Sequence, residues 1–565
     1  MMRRSRTAAM LATATALVLG ATACSSSGGS STSSSSSSSS GAVTKGGVLT
    51  YLAPADVDHT DPQRTYTTEG QSLDEEIVRS LTGWEEPVDG SAPKLVGDLA
   101  TNTGVASDND TVWTFTLRSG IKYQDGTTVT SQDVKYGVER FFSPDITGGP
   151  GYAQQFLADT KGYTGPFQGK SLSSIVTPNA STIVFHLNQP VADFNETTAM
   201  VGWSAVPKAH DTGANYDTGV WSDGPYQIKS YQRGKELILV KNKYWSQATD
   251  PIRNQNVDEI DMKQGMDRSA IDQELSADAP SAQDSIQEWP LAGSDLTQIA
   301  NDPALKSRYH VIKSPGINYL ALNMNTIKSL PEREAIEDAI NKETARGAFG
   351  GQAYGDYATT MLAPGVDGHK DFSLYTSNPA GDIPAAKALM AQAGAGKVTT
   401  LSLAVENDST HTNFADAVKT SLAQIGITVN VVPIDQANYF STLDNTKNQY
   451  DMTWMDWIPD WPNASTVLPI LFNGAQIKEL PQSNQDISYL NDPAVNAQIA
   501  NIAKMTNVAQ ANTAYGNLDE QILKDASVVP LFYMDFSELS GGNVEGLVPD
   551  PINAEMNLAH VWLKK

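Results

Sequence analysis

Alternation of apolar and polar positions picks out strands at Gly46–Leu52, Thr111–Leu117 and Thr182–Leu187, the last two rich in aromatic and β-branched residues. Between them, Ser131–Arg140 opens with a capping serine and then spaces its apolar residues at the helical period, which predicts a helix. Further along, the pattern becomes βα-like. Leu401–Val405 reads as a strand, Thr412–Ile425 as a helix ended by Gly426, and Ile427–Val432 as a strand. Asn438–Leu443 then reads as a short helix and Tyr450–Trp457 as another strand. The body is therefore expected to be mixed α/β, without a repeat of fixed period. The Pro/Gly-bounded stretch at Ser314-Pro315-Gly316 is the expected change from one folded half to the other.

The first forty residues follow a different pattern. Three arginines within Met1–Thr7 precede sixteen apolar or small residues, Ala8–Ala23, and then Cys24. That is the charged n-region, apolar h-region and small-residue cleavage site of a signal peptide, and it is short for a ~30 Å hydrocarbon core. Leu19–Cys24 (LGATAC) resembles a bacterial lipobox, in which the cysteine is lipidated, with Ala21 where leucine is preferred. The other reading is an ordinary secreted protein with an incidental cysteine. Ser25–Gly41 is almost all Ser and Gly, which favours a flexible tether behind an anchor. Arg3-Arg4 is a poor twin-arginine match, so the export route stays open.

Composition narrows the function classes. The 565 residues leave room for three to four units at about 150 residues each, and 40% hydrophobic with 18% charged describes a globular chain. Thirty-nine basic against 64 acidic residues give a net charge of −25. So acidic a chain repels phosphate backbones, and nucleic acid is not an expected partner. The single cysteine rules out an internal disulfide framework and any CxxC site.

Motifs for catalysis are missing: there is no G-x-S-x-G elbow, H-E-x-x-H or Walker A loop, and Gly165–Ser171 has Thr164 where a phosphate loop needs glycine. Asp56, Asp58 and Asp61 could ligate a hard cation, but Asp61-Pro62 suits turn capping better. Glu85-Glu86 and the pair Asp108 and Asp110 read as solvated acidic faces. No enzyme activity, metal or cofactor is expected.

One stretch carries a family resemblance. Thr114-Phe-Thr-Leu-Arg118-Ser-Gly120, continuing to Asp125-Gly126 and Asp133-Val134, resembles the signature of solute-binding lipoproteins of dipeptide/oligopeptide-type ABC importers, family 5. It departs with Tyr123 for Phe, Gln124 for the frequent His and Thr128 for Pro. Asp61-Pro62, Asp223–Tyr226 (DGPY), Lys241–Trp245 (KNKYW), Tyr319–Asn325 and Ala385–Gly394 follow in the family's order, covering the chain from about residue 46 to its end.

The resemblance implies an α/β, two-lobed periplasmic-binding-protein-like fold, with hinged lobes and the first lobe enlarged by an extra subdomain. The expected division is 1–23 signal peptide, 24–45 lipidated cysteine and tether, 46–315 with 532–565 as lobe one (subdomain about 80–210), and 316–531 as lobe two. It further implies a monomer on the outer face of the cell membrane. Such a protein captures a peptide between its lobes and delivers it to the transmembrane subunits of an ABC permease, which are driven by cytoplasmic ATPases.

The same resemblance points to a site. In peptide binders of the family, a W-x-x-D late in lobe two supplies the carboxylate that meets the ligand's α-ammonium. Trp457 and Asp460 match it, inside a stretch (Asp451–Pro462) that also holds Trp454 and Trp461. The competing reading makes these tryptophans core and Asp460 a turn cap. Tyr66, Thr67 and Thr68 stand where relatives offer extended backbone to the peptide, and Tyr152 where they place a pocket tyrosine; a surface-loop role remains open for both. Relatives put arginines upstream of W-x-x-D, whereas here only Lys447 is cationic. Alternatives are the same fold holding an oligosaccharide (three tryptophans would suit a sugar face), an opine, a nickel chelate or another small cationic metabolite. More distant is a cell-surface lipoprotein hydrolase, which would need a nucleophile–base pair.

Overall fold

A computed structural model describes residues 43–88, 91–394, 397–478 and 484–565. The expected signal peptide, Cys24 and all but the last residues of the tether lie outside these.

The first half is built on a five-stranded sheet in the order 285–287, 48–52, 259–263, 236–241, 226–232. Strand Val48–Leu52 is parallel to both its neighbours and the others are antiparallel. Leu49 and Tyr51, two residues apart, reach one buried cluster with Ile260 and, from the far end of the chain, Val544, Leu558 and Leu563. A four-stranded antiparallel sheet (105–107, 112–116, 182–186, 175–179) is inserted within this half. Trp113 lies opposite Phe185 and Phe115 opposite Ile183, so alternate residues fill one core. Helix Ser131–Arg140 packs Val134 and Val138 onto it, one turn apart. Its cap is Thr130, not Ser131: Thr130 and Asp133 form a reciprocal capping box.

The second half is a six-stranded sheet in the order 355–357, 528–539, 309–322, 452–457, 400–406, 428–434, covered by helices that include Ser409–Ala423 and Val508–Leu523. Ser314–Gly316 is no loop. It lies inside one 14-residue strand, Tyr309–Leu322, paired with Val528–Leu539 from Tyr309↔Leu539 to Ala321↔Val528. The register shifts between Lys313 and Ile317, where Pro315 has no N–H for the ladder. One end of this ribbon packs Leu539 against Leu52 and Leu275, and the other packs Leu320 and Val529 into the second half's core. Two adjacent strands thus join the halves.

Several aspartates of the first half are locked by arginines. Arg140 holds Asp61 through two bonds of 2.7 and 2.6 Å. Arg79 binds Asp98 at 2.7 Å, and Arg253 binds Asp98 and Asp250, the latter at 3.0 Å. The acidic run 56–61 is turn chemistry: Asp58 accepts the N–H of Tyr66 and Thr67, and Asp56 that of Gly234. Asp108 and Asp110 sit at positive φ in the turn between strands 105–107 and 112–116. Glu86 is not on a solvated face as expected. It is 5% exposed and accepts from Asn557 Nδ2 at 3.1 Å, because the C-terminal segment folds over it.

Candidate functional site

Strand Met452–Trp457 pairs with the long crossing strand, placing Trp454 opposite Leu320 and Trp457 opposite Ile317. Side chains three apart on a strand point to opposite faces, so Trp454 shares its face with Asp456 and not with Trp457. The strand stops at Ile458-Pro459, and Asp460 and Trp461 lie on the following turn. The three tryptophans accordingly part company. Trp454 is 5% exposed and walls a large cavity. Trp457 donates its Nε1–H to Thr466 O (2.8 Å) and lines a smaller one. Trp461 is buried against the other half: its Nε1 donates to Asp193 at 3.0 Å, and its ring lies 4.9 Å from that of Tyr152. A shared sugar-binding face of three tryptophans is therefore not formed.

Asp460 is the meeting point. Its Oδ2 accepts from the hydroxyl of Tyr152 and, at 3.3 Å, from that of Tyr66, residues 308 and 394 positions away. Tyr152 opens the short helix Tyr152–Phe156 and stacks on Phe156, which fixes its ring. Burial pushes the Asp460 carboxyl up to about 6, and the two tyrosine donors pull against that rise. Among the described residues no lysine or arginine pairs with it. Beside it lies a cavity of about 210 Å³ lined by Tyr66, Thr68, Trp457, Gln485 and Asn553, among others.

The segment 66–68 does something other than expected. The N–H groups of Tyr66 and Thr67 are taken by Asp58, and Thr67 Oγ1 caps helix Thr68–Asp74 by accepting from Gly70 N. What reaches the cavity is the Tyr66 side chain and Thr68, so Thr67 is a helix cap rather than a free extended edge.

A second cavity of about 770 Å³ opens between the halves. Ala55, Glu69, Arg268 and Trp289 line it from one side; Phe349, Glu406, Asp408, His411, Trp454 and Asp456 are among those on the other. Sequence reasoning singled out only Trp454 here. Lys447, the cation noted upstream of W-x-x-D, is exposed in a loop, and the guanidinium at the cavity is Arg268, which no motif marks. It is tied down by the carbonyls of Pro290 (2.8 Å from Nε) and Leu291 (3.1 Å). Asp456 is raised to about 6 by burial and then by the neighbouring Glu406.

A two-half body joined by two strands, with an enclosed carboxylate between the halves and no charged partner for it, suits binding. The sequence profile of bacterial extracellular solute-binding proteins, family 5, middle region, matches residues 94–479. The chain belongs to this family. Its members are binding proteins rather than enzymes, and the fold is the two-lobed one of periplasmic binding proteins. The chain is 25% identical over 508 residues to the probable D,D-dipeptide-binding periplasmic protein DdpA of Escherichia coli, covering 88% of this chain and 90% of that one. It is 26% identical over 521 residues to the periplasmic oligopeptide-binding protein OppA of Escherichia coli, covering 85% and 89%. Among solved structures, the clavulanic acid biosynthesis oligopeptide binding protein 2 superposes with a TM-score of 0.86 at 29% identity, over 92% of this chain and 96% of that one.

Proposed function

We propose that this protein is the membrane-anchored substrate-binding component of an ABC importer, a monomer that captures peptides between its lobes and hands them to a permease. Residues 46–315 with 532–565 form lobe one, residues 316–531 form lobe two, and the crossing strands Tyr309–Leu322 and Val528–Leu539 are the hinge. The observation that carries this reading is Asp460: an enclosed carboxylate with two neutral hydroxyl donors and no cation, at the line where the lobes meet. A ligand ammonium supplies the missing charge and favours the ionised carboxylate that burial alone disfavours. Tyr66 and Tyr152 reach Asp460 from the opposite lobe, so closing the lobes completes the ammonium site. Trp457 and Thr68 flank the first residue of the peptide, Trp454 borders the larger cavity, and Trp461 latches the lobes through Asp193.

Lipid attachment at Cys24 would hold the body at the outer membrane face, contributing about 0.8 kcal/mol per buried CH₂. Cys24→Ala is expected to release folded protein into the soluble fraction.

The reading is tested by denaturing the purified protein and analysing what it releases by mass spectrometry, alongside calorimetry with alanine tri- and tetrapeptides. Peptides in the extract, or calorimetric binding, support it. A saccharide or opine in the extract, with no heat from any peptide, would contradict it.

A further inference from the structure

The walls of the large cavity differ from those of the Asp460 pocket. Glu406, Asp408 and Asp456 line one side and Glu69 the other. The one guanidinium lining it among the described residues, Arg268, is already bonded to the Pro290 and Leu291 carbonyls. Gln436 Nε2 donates to both Glu406 and Asp408, at 2.9 and 3.0 Å, and Asp408 also accepts from His411 N at 2.8 Å.

Two nitrogens on the same wall have no hydrogen-bond partner among the described residues. His411 is 8% exposed, and its Nδ1 faces Asp408 Oδ2 at 2.6 Å, leaving Nε2 buried without a hydrogen bond. Trp454 Nε1 is likewise buried and unpartnered. Unmet polar atoms in a native wall call for a ligand or water to meet them: with Nδ1 donating to Asp408, His411 Nε2 is an acceptor that a ligand N–H can meet, whereas the Trp454 Nε1–H needs an oxygen, from water or a peptide carbonyl. Around them the rings of Phe349, His411 and Trp454 form a continuous aromatic surface: His411–Trp454 centroids are 4.1 Å apart, and Phe349 lies within 6.1 Å of both.

We propose that this cavity is a subsite for a guanidinium side chain of the bound peptide, held between the Glu406 and Asp456 carboxylates and the Trp454–His411–Phe349 wall. This rests on the peptide-binding reading above and names the ligands it favours: peptides carrying arginine. A planar guanidinium presents several N–H groups to a fork of carboxylate oxygens while its face lies on aromatic rings, which a compact ammonium does less well. A metal ion is a poorer occupant. Although donor atoms of Glu406, Asp408 and His411 converge within 4.8 Å, Asp408 is engaged as the cap of helix Ser409–Ala423, accepting from His411 N, and also meets His411 Nδ1.

Calorimetry with alanine tetrapeptides carrying one arginine at each position in turn, and their citrulline counterparts, tests this. Citrulline keeps the shape and hydrogen-bonding face but removes the charge. At one position the arginine peptide is expected to bind about tenfold or more tighter than its citrulline partner. That preference should shrink to about twofold or less in the Glu406→Gln/Asp456→Asn variant, while binding of the all-alanine peptide is retained. Equal binding of arginine and citrulline peptides at every position, with all of them bound, would overturn this inference alone. Failure of folded protein to bind any of the peptides would remove the peptide-binding reading and this inference together.

Discussion

Asp250 is a buried carboxylate and Asp460 a half-buried one, and their surroundings are opposite. Asp250 meets Arg253 at 3.0 Å, Arg79 at 3.7 Å and the Trp245 indole N–H at 2.9 Å. Burial alone would raise it, but the two guanidinium groups hold it well below the usual carboxylate range. Among the described residues Asp460 has only hydroxyl donors, and burial raises it to about 6. The first arrangement is complete within the chain and belongs to the scaffold of lobe one. The second has no cation among the described residues, and on the proposed reading a ligand ammonium completes it. Asp456, also near 6 and without an arginine, falls with Asp460. A buried acid with its own cation supports the fold, whereas the two that lack one where the halves meet are the proposed ligand contacts.

The largest effect expected from this contrast is on the scaffold. Arg253→Met leaves Asp98 and Asp250 short of a charge in a dry interior and should cost about 3–5 kcal/mol of stability. It should leave peptide affinity of the folded fraction unchanged. Thermal or urea unfolding measures the first and calorimetry the second, and a melting temperature equal to wild type would break the contrast.

A second expectation follows from acids that burial raises without full compensation: Asp519 to about 6, Asp223 and Asp486 to about 7, and Glu76 to about 8. Their folded-state values exceed the unfolded ones near 4, so the native state binds more protons across that window. The stability they contribute is full below about pH 4 and is lost as pH rises through 6 to 8. Unliganded protein should therefore melt at a lower temperature at pH 8 than at pH 5.5, and a flat or opposite profile would show these acids to be compensated.

Ligand affinity should move the other way with pH. Asp460 must be ionised to meet an ammonium, so lowering the pH from 7 to 5 across its value of about 6 should weaken a neutral-side-chain peptide about tenfold. Tyr152→Phe sharpens the point with a smaller loss, about 1 kcal/mol at neutral pH. The ring keeps its stacking on Phe156 and Trp461, while the lost O–H donor should shift the midpoint of the pH profile above that of wild type.

Much of this architecture was legible in local patterns. Strand Val112–Thr116 and helix Ser131–Arg140 lie where the alternation and the helical period put them, because their apolar faces are set by nearest neighbours along the chain. The change of halves was expected at Ser314-Pro315-Gly316 because a proline looks like a break in the pattern; that Pro315 lies inside the strand Tyr309–Leu322, at a shift of register, shows only from the strand paired with it. Glu85-Glu86 looked like solvated surface; Glu86 is buried and accepts from Asn557, 471 residues away. The dispersal of Trp454 and Trp457 was readable in principle, because a strand with period two cannot turn residues three apart to one face. The convergence of Tyr66 and Tyr152 on one Asp460 oxygen was not. Nor was Arg268, whose place at the cavity follows from packing of the helix Arg268–Ser276 and from no motif.

The central claim is that the ligand's α-ammonium completes Asp460, and a double-mutant cycle by calorimetry tests it directly. Wild type and Asp460→Asn are each titrated with a binding peptide and with its N-acetylated form. In wild type, acetylation should cost about 2–5 kcal/mol, a thirtyfold or greater loss of affinity, and Asp460→Asn should cost as much for the free peptide without lowering the melting temperature of unliganded protein. In the Asn variant acetylation should matter little, because the charge it removes no longer has a partner. Equal losses on acetylation in both proteins would contradict the account.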